Sequence, residues 1–268
     1  MGNLHDGHLS LARLARAEAD VVVATIFVNP TQFGAGEDFE SYPRTLDEDL
    51  SMLCAAGTVD AVFVPDEGEI YPFGADEAVR VSMPALSREL CGASRPGHFD
   101  GVASVVCRLL NIVTPDVVVL GLKDYQQLII IERMVADLGI GVRVVSGPTM
   151  RDGDGLAISS RNRYLTDEER ARAPALYAAL ERVAGAIRNG DGDYGALQQA
   201  AQDELRASGL VPDYVEIRCA ADLAKPNGRQ PPEELIVLAA ARLGKARLID
   251  NLKLRETELA AIDSSGRP

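Results

Sequence analysis

All three histidines of the chain stand in glycine-containing stretches, His5 and His8 in NLHDGHLS and His98 in SRPGHFDG. An imidazole pair spaced by three residues could ligate a metal, but no further ligand cluster accompanies it, so a zinc site is a weak reading. Anion binding is the stronger one. In NLHDGHLSLARL a helix is expected at or just after His8, which puts both imidazoles near a helix N-terminus that favours phosphate, and Gly7 allows close backbone approach. The competing reading is a pair of polar loop residues capping a helix. The chain holds only four lysines, Lys123, Lys225, Lys245 and Lys253, so Lys123 stands alone in the first two thirds of the sequence. It sits in GLKDYQQL, where a strand ends, and a lysine there can hold a triphosphate as a point charge. Asp124 beside it reads as a helix cap, and Gln126 and Gln127 alternatively as an exposed helical face.

Two further segments have types suited to a small polar ligand. Asn29 and Gln32, in VNPTQF, follow an apolar strand at its C-terminal end, where open parallel sheets bind ligands; turn formation and capping are the alternative. In DGLAISSRNRYL, Ser159, Ser160 and Arg161 can bind phosphate together, unless the stretch is a polar linker. Four such segments, mostly at strand ends, point jointly to an ATP-dependent transferase or ligase.

The elements that must position them alternate. The apolar runs VVVATIFV (21–28), DAVFV (60–64), PDVVVLGL (115–122) and GVRVVSG (141–147) suggest strands buried on both faces. Between them SLARLARAEA, the stretch 45–56, GVASVVCRLLNIV and DYQQLIIIERMVADLG repeat their apolar residues at three and four. The expectation is an α/β fold with a doubly wound, Rossmann-like parallel sheet. After Arg151 the texture changes to helices expected over 166–189 and 195–208 and short strands DYVEIRC, LIVLAAARL and ARLID. This predicts a first domain over 1–150, a smaller α/β domain over 151–254 and a flexible tail over 255–268.

Composition bounds the partners. A net charge of −13 over 268 residues makes nucleic acid an unsuitable partner, since phosphate neutralisation needs a basic face. With 47% hydrophobic and 25% charged residues the chain is globular. No apolar run reaches the roughly 18 to 20 residues that span a bilayer, and no signal peptide opens the sequence, so the expectation is a cytoplasmic protein without a membrane partner. Cys54, Cys91, Cys107 and Cys219 lie far apart without a CxxC and read as buried free thiols.

The ordered set MGNLHDGH, IFVNPTQF, RPGHFDGVASVVCRLLNIVTPD, GLKDYQQL and DGLAISSRNRYL, spanning Met1 to about Leu254, resembles the pantothenate synthetase, or pantoate–beta-alanine ligase, family. HxGH alone would suggest only the wider nucleotidyltransferase superfamily; its combination with VNPTQF, RPGHFDGV and KDYQQL is specific. The resemblance implies that ATP and (R)-pantoate form a pantoyl adenylate with release of pyrophosphate, and that β-alanine displaces AMP to give pantothenate, a precursor of coenzyme A. It implies that His5, His8 and Lys123 are catalytic, with His8 as proton donor at the phosphates. ATP would meet Met1, Gly2, Asn3, Leu4, His5, Asp6, Gly7 and His8, then Gly121, Leu122, Lys123 and Asp124, then Met150, Ile158, Ser159, Ser160 and Arg161. Gln32 and Gln127 would hold pantoate, Gln32 also serving β-alanine, with Asn29, Arg95 and His98 lining or supporting that pocket. Mg²⁺ would be held mainly by the ATP phosphates, with Asp124 as its protein ligand, and no tightly bound organic cofactor is expected. The first domain would bind nucleotide and pantoate, the second would act as a lid, and the family is typically dimeric. Competing readings are a related nucleotidyltransferase acting on a phosphorylated small molecule and a catalytically silent ligand-binding protein.

Two features depart from the family pattern. Leu122 stands where relatives often carry a polar or acidic residue. Relatives also carry a buried strand ending in Pro-Thr before HxGH, so the first strand is expected to be missing and the natural start to lie upstream of Met1.

Overall fold

The computed structural model describes residues 2–34, 36–37 and 39–255; Met1 and nearly all of the tail expected at 255–268 lie outside them. The first half runs α1 (Asp6–Glu18), β1 (Val23–Thr25), α2 (Leu46–Ala56), β2 (Ala61–Phe63), the one-turn helices α3 (Glu67–Ile70), α4 (Pro84–Ser87) and α5 (Cys91–Ser94), then α6 (His98–Val113), β3 (Val117–Gly121), α7 (Tyr125–Asp137) and β4 (Arg143–Gly147). β1 pairs with β2 and β3 with β4, both in parallel, with helices on the crossovers. This is the expected Rossmann-like α/β arrangement. The strands are shorter than the apolar runs and are partly exposed rather than buried on both faces. The reason is pairing. No described strand bridges β1 and β3, so the sheet falls into two two-stranded pieces and each strand has a neighbour on one side only. Val21 and Val23 are accordingly 68% and 40% exposed.

α1 lies across β3 and β4, its Leu11 and Leu14 resting on Gly147; a Cβ at Gly147 would come within 3.3 Å of Leu14 Cδ2. α7 is apolar nearly all round because it is covered on both sides. Ile130, Ile131 and Met134 pack with Phe99 and Ala103 of α6, while Leu128 and Ile129 pack against Ile236 and Leu238 of the second sheet.

The second half comprises α8 (Asp167–Arg172), α9 (Ala175–Arg188), α10 (Tyr194–Ala207) and the antiparallel sheet β5 (Val211–Cys219), β6 (Leu235–Leu243), β7 (Ala246–Lys253), with β6 central. The single helix expected over 166–189 is divided, because Pro174, which lacks an N–H, stands between α8 and α9. α8 starts with a capping box: Glu169 N–H donates to Thr166 Oγ1 and Thr166 N–H to Glu169 Oε2, an arrangement in which the cap contributes about 1 kcal/mol. β6 is apolar from Leu235 to Ala241 because α9 and α10 cover one of its faces and α7 the other.

All four cysteines are free, but only Cys91 is buried; Cys54 is exposed and Cys107 and Cys219 are intermediate. On α2 the buried apolar residue is Leu53, and one helical step turns Cys54 away from it by about 100°. No helix among the described residues is long and apolar enough to cross a membrane.

Candidate active site

The HxGH turn is set by a residue forty-odd positions away. Gly2 and Asn3 take left-handed backbone angles (φ 77° and 53°), and the turn is pinned by the buried carboxylate of Asp49 on α2, which accepts Asn3 N–H at 2.8 Å and Leu4 N–H at 2.7 Å. His5 is then the extended N-cap residue, so α1 begins at Asp6, earlier than expected, and His8 falls inside its first turn. The His5 N–H donates to His8 Nδ1 at 3.2 Å. With Nδ1 accepting, the ring proton of neutral His8 sits on Nε2. Burial, reinforced by the charge of His5, lowers the His8 pKa to about 3. Burial and the Lys123 ammonium lower that of His5 as well. Both imidazoles are therefore neutral at pH 7. A Cβ at Gly7 would stand 2.9 Å from His5 Cε1, so glycine there is what lets the ring fold over the helix start.

Asn29 ends the segment after β1 and is 1% exposed. Its Oδ1 accepts from Tyr71 Oη (2.6 Å) and Thr31 Oγ1 (3.1 Å), and its Nδ2 donates to Gly101 O and Gln32 Oε1, both at 3.2 Å. Its amide is fully engaged within the protein, and one of its contacts is to the Gln32 side chain. A second chain of contacts reaches Gln32 from the other side. Glu37 forms a two-pronged pair with Arg95 (2.6 Å from both Nε and Nη2), Arg95 Nη1 donates to His98 Nε2 at 2.8 Å, and His98 Nδ1–H donates to the Gln32 carbonyl at 2.8 Å. Burial and the Arg95 charge hold His98 neutral, with a pKa near 4. Burial pushes Glu37 up, but the Arg95 hydrogen bonds and charge outweigh it and lower its pKa.

At the end of β3, Leu122–Asp124 forms a single 3-10 turn leading into α7. Lys123 makes no ion pair among the described residues. Asp124 occupies the cap position of α7 (φ −94°, ψ 56°), but its side chain makes no cap hydrogen bond. The segment after β4 folds back on itself: Ile158 N–H donates to Met150 O at 2.9 Å, and Ser159 Oγ accepts the Arg161 N–H at 3.3 Å. Arg151 is held by Asp250 through two contacts, 2.6 and 2.9 Å, and stacks 3.7 Å from the Tyr177 ring centroid.

These pieces converge on one cleft of about 410 Å³. Gly2, His5, Gly7, His8, Asn29, Gln32, Arg95, His98, Gly121, Lys123, Asp124, Gln127, Met150, Ile158, Ser159, Ser160 and Arg161 line it. A second cavity of about 380 Å³ shares Arg95, His98, Lys123, Asp124, Gln127, Ser159 and Arg161 with it and opens toward the antiparallel sheet. Asn3, Leu4, Asp6 and Leu122 do not line the cleft. Asn3 is buried behind the turn, Leu4 gives its N–H to Asp49, Asp6 is exposed and Leu122 packs with Leu120 and Tyr125. Met1 lies outside the described residues. Gln126, read as an exposed face, is buried, with Oε1 accepting Cys91 N–H and Nε2 donating to Leu86 O and Glu89 O. Glu37, Asp49, Tyr71, Asp250 and Asn251 support the site without having stood out in the sequence.

A family model described as Pantoate-beta-alanine ligase matches residues 1–253. The chain belongs to the pantoate-beta-alanine ligase family. Among curated relatives, the pantothenate synthetase of Thioalkalivibrio sulfidiphilus is 58% identical over 94% of this chain and 87% of its own, and that of Chromobacterium violaceum 54% identical over 95% and 90%. Among solved structures, pantothenate synthetase from Thermus thermophilus superposes with a TM-score of 0.88 at 45% identity, covering 95% of this chain and 91% of its own. The pantoate-beta-alanine ligase of Francisella tularensis, complexed with beta-gamma ATP and beta-alanine, superposes with a TM-score of 0.76 at 35% identity over 96% and 88%. As a member of this family the chain is an enzyme, an ATP-dependent pantoate–beta-alanine ligase, as its motifs lead one to expect. The nucleotidyltransferase and silent-binder readings are not favoured.

Proposed function

We propose that the cleft condenses (R)-pantoate with β-alanine in two steps, with the residue roles given by the family resemblance. The single observation that carries these roles is the convergence of His5, His8, Gln32, Lys123, Gln127 and the Ser159–Arg161 segment, from sequence positions far apart, on one cleft. A carboxylate oxygen of pantoate attacks the α-phosphorus, the bond to pyrophosphate breaks, and a pantoyl adenylate forms. The β-alanine amine then attacks the acyl carbon and AMP departs. In the first step negative charge grows on the phosphate oxygens. Lys123 supplies a positive charge there, His8 Nε2–H a neutral donor, and Ser159, Ser160 and Arg161 further donors. Gln32, held between Asn29 and His98, and Gln127 orient pantoate. Asn3, Leu4, Asp6 and Leu122, which do not line the cleft, are left out of this assignment.

Mg²⁺ fits the donors available. Asp124 is exposed at the cleft with no cap hydrogen bond. That suits an ion held by substrate phosphates with one carboxylate and water. When bound it neutralises charge on the phosphates. The division into a nucleotide- and pantoate-binding part over 1–150 and a covering part over 151–254, the homodimer and the cytoplasmic location are proposed on the family resemblance. The covering part excludes water from a labile acyl adenylate.

The deciding experiment measures pyrophosphate and AMP release from ATP, Mg²⁺ and pantoate with and without β-alanine. Pantoate-dependent pyrophosphate release, with steady AMP turnover only when β-alanine is present, is expected. Pyrophosphate release that ignores pantoate would overturn the proposal.

A further inference from the structure

β7 reaches across to both nucleotide-facing segments through two adjacent residues. Asn251 is 7% exposed, and its Nδ2 donates to Leu122 O and Lys123 O, each at 2.9 Å. These carbonyls belong to the 3-10 turn that presents Lys123, 128 positions earlier in the chain. Asp250, 4% exposed, holds Arg151 next to Met150, and its Oδ1 accepts the Asn251 N–H at 2.8 Å. Neighbouring residues of a strand point to opposite faces, so one strand grips the Lys123 turn with one side chain and the Met150–Arg151 segment with the other. The turn has few anchors of its own: it is three residues long, and Asp124 makes no cap bond.

We propose that Asn251 is a positioning residue for Lys123, and that β7 thereby makes the antiparallel sheet part of the adenylation machinery. The inference rests on the role proposed above for Lys123. Both amide hydrogens of Asn251 are committed to backbone carbonyls, and the residue borders the second cavity rather than the 410 Å³ cleft, so its part is to fix where the lysine side chain starts. Loss of that grip lets the ammonium move by a fraction of an ångström or more, enough to matter for a charge that must meet a transition state.

The test uses the full chain with Asn251→Ala, Asn251→Asp, Lys123→Arg and the combination of Asn251→Ala with Lys123→Arg. Lys123→Arg keeps a positive charge so that a rate remains measurable. Asn251→Ala is expected to lower pantoate-dependent pyrophosphate release on the order of ten- to a hundredfold, with the KM for β-alanine unchanged. Asn251→Asp keeps the size but opposes a carboxylate to two carbonyls, and is expected to be worse still. In the Lys123→Arg background Asn251→Ala should cost much less, since interacting residues are not additive. A purely structural role would give multiplicative losses instead, and that result overturns the proposal. Hydrogen exchange of the peptide covering residues 121–125 provides a readout that needs no turnover. It should speed up in Asn251→Ala and stay unchanged in Arg182→Ala, whose guanidinium pairs with Glu204 on the far helices. Unchanged exchange in a folded Asn251→Ala protein overturns the grip itself, whereas altered exchange with an inactive parent chain faults only the assigned activity.

Discussion

The backbone N–H of His5 donates to Nδ1 of His8, with the two rings 4.0 Å apart between centroids. That hydrogen bond sets the tautomer of neutral His8 and leaves the ring proton on Nε2, the atom proposed above to donate to a phosphate. Since the glutamine amide nitrogen reaches roughly where Nε2 stands and the asparagine amide only where Nδ1 stands, His8→Gln should retain more pyrophosphate release than His8→Asn. His8→Ala should lose about a hundredfold or more, the usual scale for removing one preorganised donor. Equal losses in the glutamine and asparagine variants, measured at saturating ATP, would refute the tautomer.

Lys123→Ala should cut pyrophosphate release by about a hundred- to a thousandfold while its thermal melt stays close to that of the parent, because the ammonium has no ion-pair partner among the described residues to lose. A near-normal rate would remove Lys123 from the mechanism.

The histidines make stability depend on pH in a defined direction. His8 is lowered to about 3 and His98 to about 4, both chiefly by burial, and His5 moves the same way. In the unfolded chain each binds a proton near pH 6.5. Between that pH and 4 the unfolded state therefore holds more protons, and stability falls as pH drops. Melting temperature should decline from pH 7 to 5, before the lowered carboxylate of Glu37 begins to contribute. The decline should be shallower in His98→Asn. A flat profile in the parent chain would contradict buried neutral imidazoles.

Gly101→Ala offers a sign test. In an ordinary helix interior this change stabilises by about 0.5–1 kcal/mol. On α6 the new methyl would meet the carbonyl carbon of Thr31 at 2.6 Å and Cα of Gln32 at 2.8 Å, both rigid backbone. Destabilisation by about 1–3 kcal/mol is expected, with a raised KM for pantoate because the turn carrying Gln32 is pushed away. A stabilised variant with normal KM would show that the turn yields freely.

Asn29 separates what spacing can reveal from what it cannot. VNPTQF after an apolar run marks a turn beyond a strand end, and the structure puts Asn29 and Gln32 at the cleft there. Yet nothing local says that the Asn29 amide is occupied by Tyr71, Gly101 and Gln32, since two of those partners lie 42 and 72 positions away. His98 is similar: its glycine-rich setting singles it out, but its link from Arg95 to the Gln32 carbonyl exists only once α6 packs on the turn after β1. Glu37, Asp49 and Asn251 gave no local sign at all. They are ordinary polar residues whose partners are 58, 45 and 128 positions away.

Periodicity and strand-end motifs in the sequence alone determined the α/β class, the alternation of strands and helices, the family and the segments that face the cleft, because those properties are written in neighbouring residues. Tertiary structure alone decided where each strand stops, that Pro174 divides a helix, that Gln126 is buried, that Leu122 turns into the core, and which side chains hold the histidines, Gln32 and Lys123 in place. Such contacts depend on which surfaces meet after the chain has closed loops of many tens of residues, and a linear pattern carries no record of that meeting.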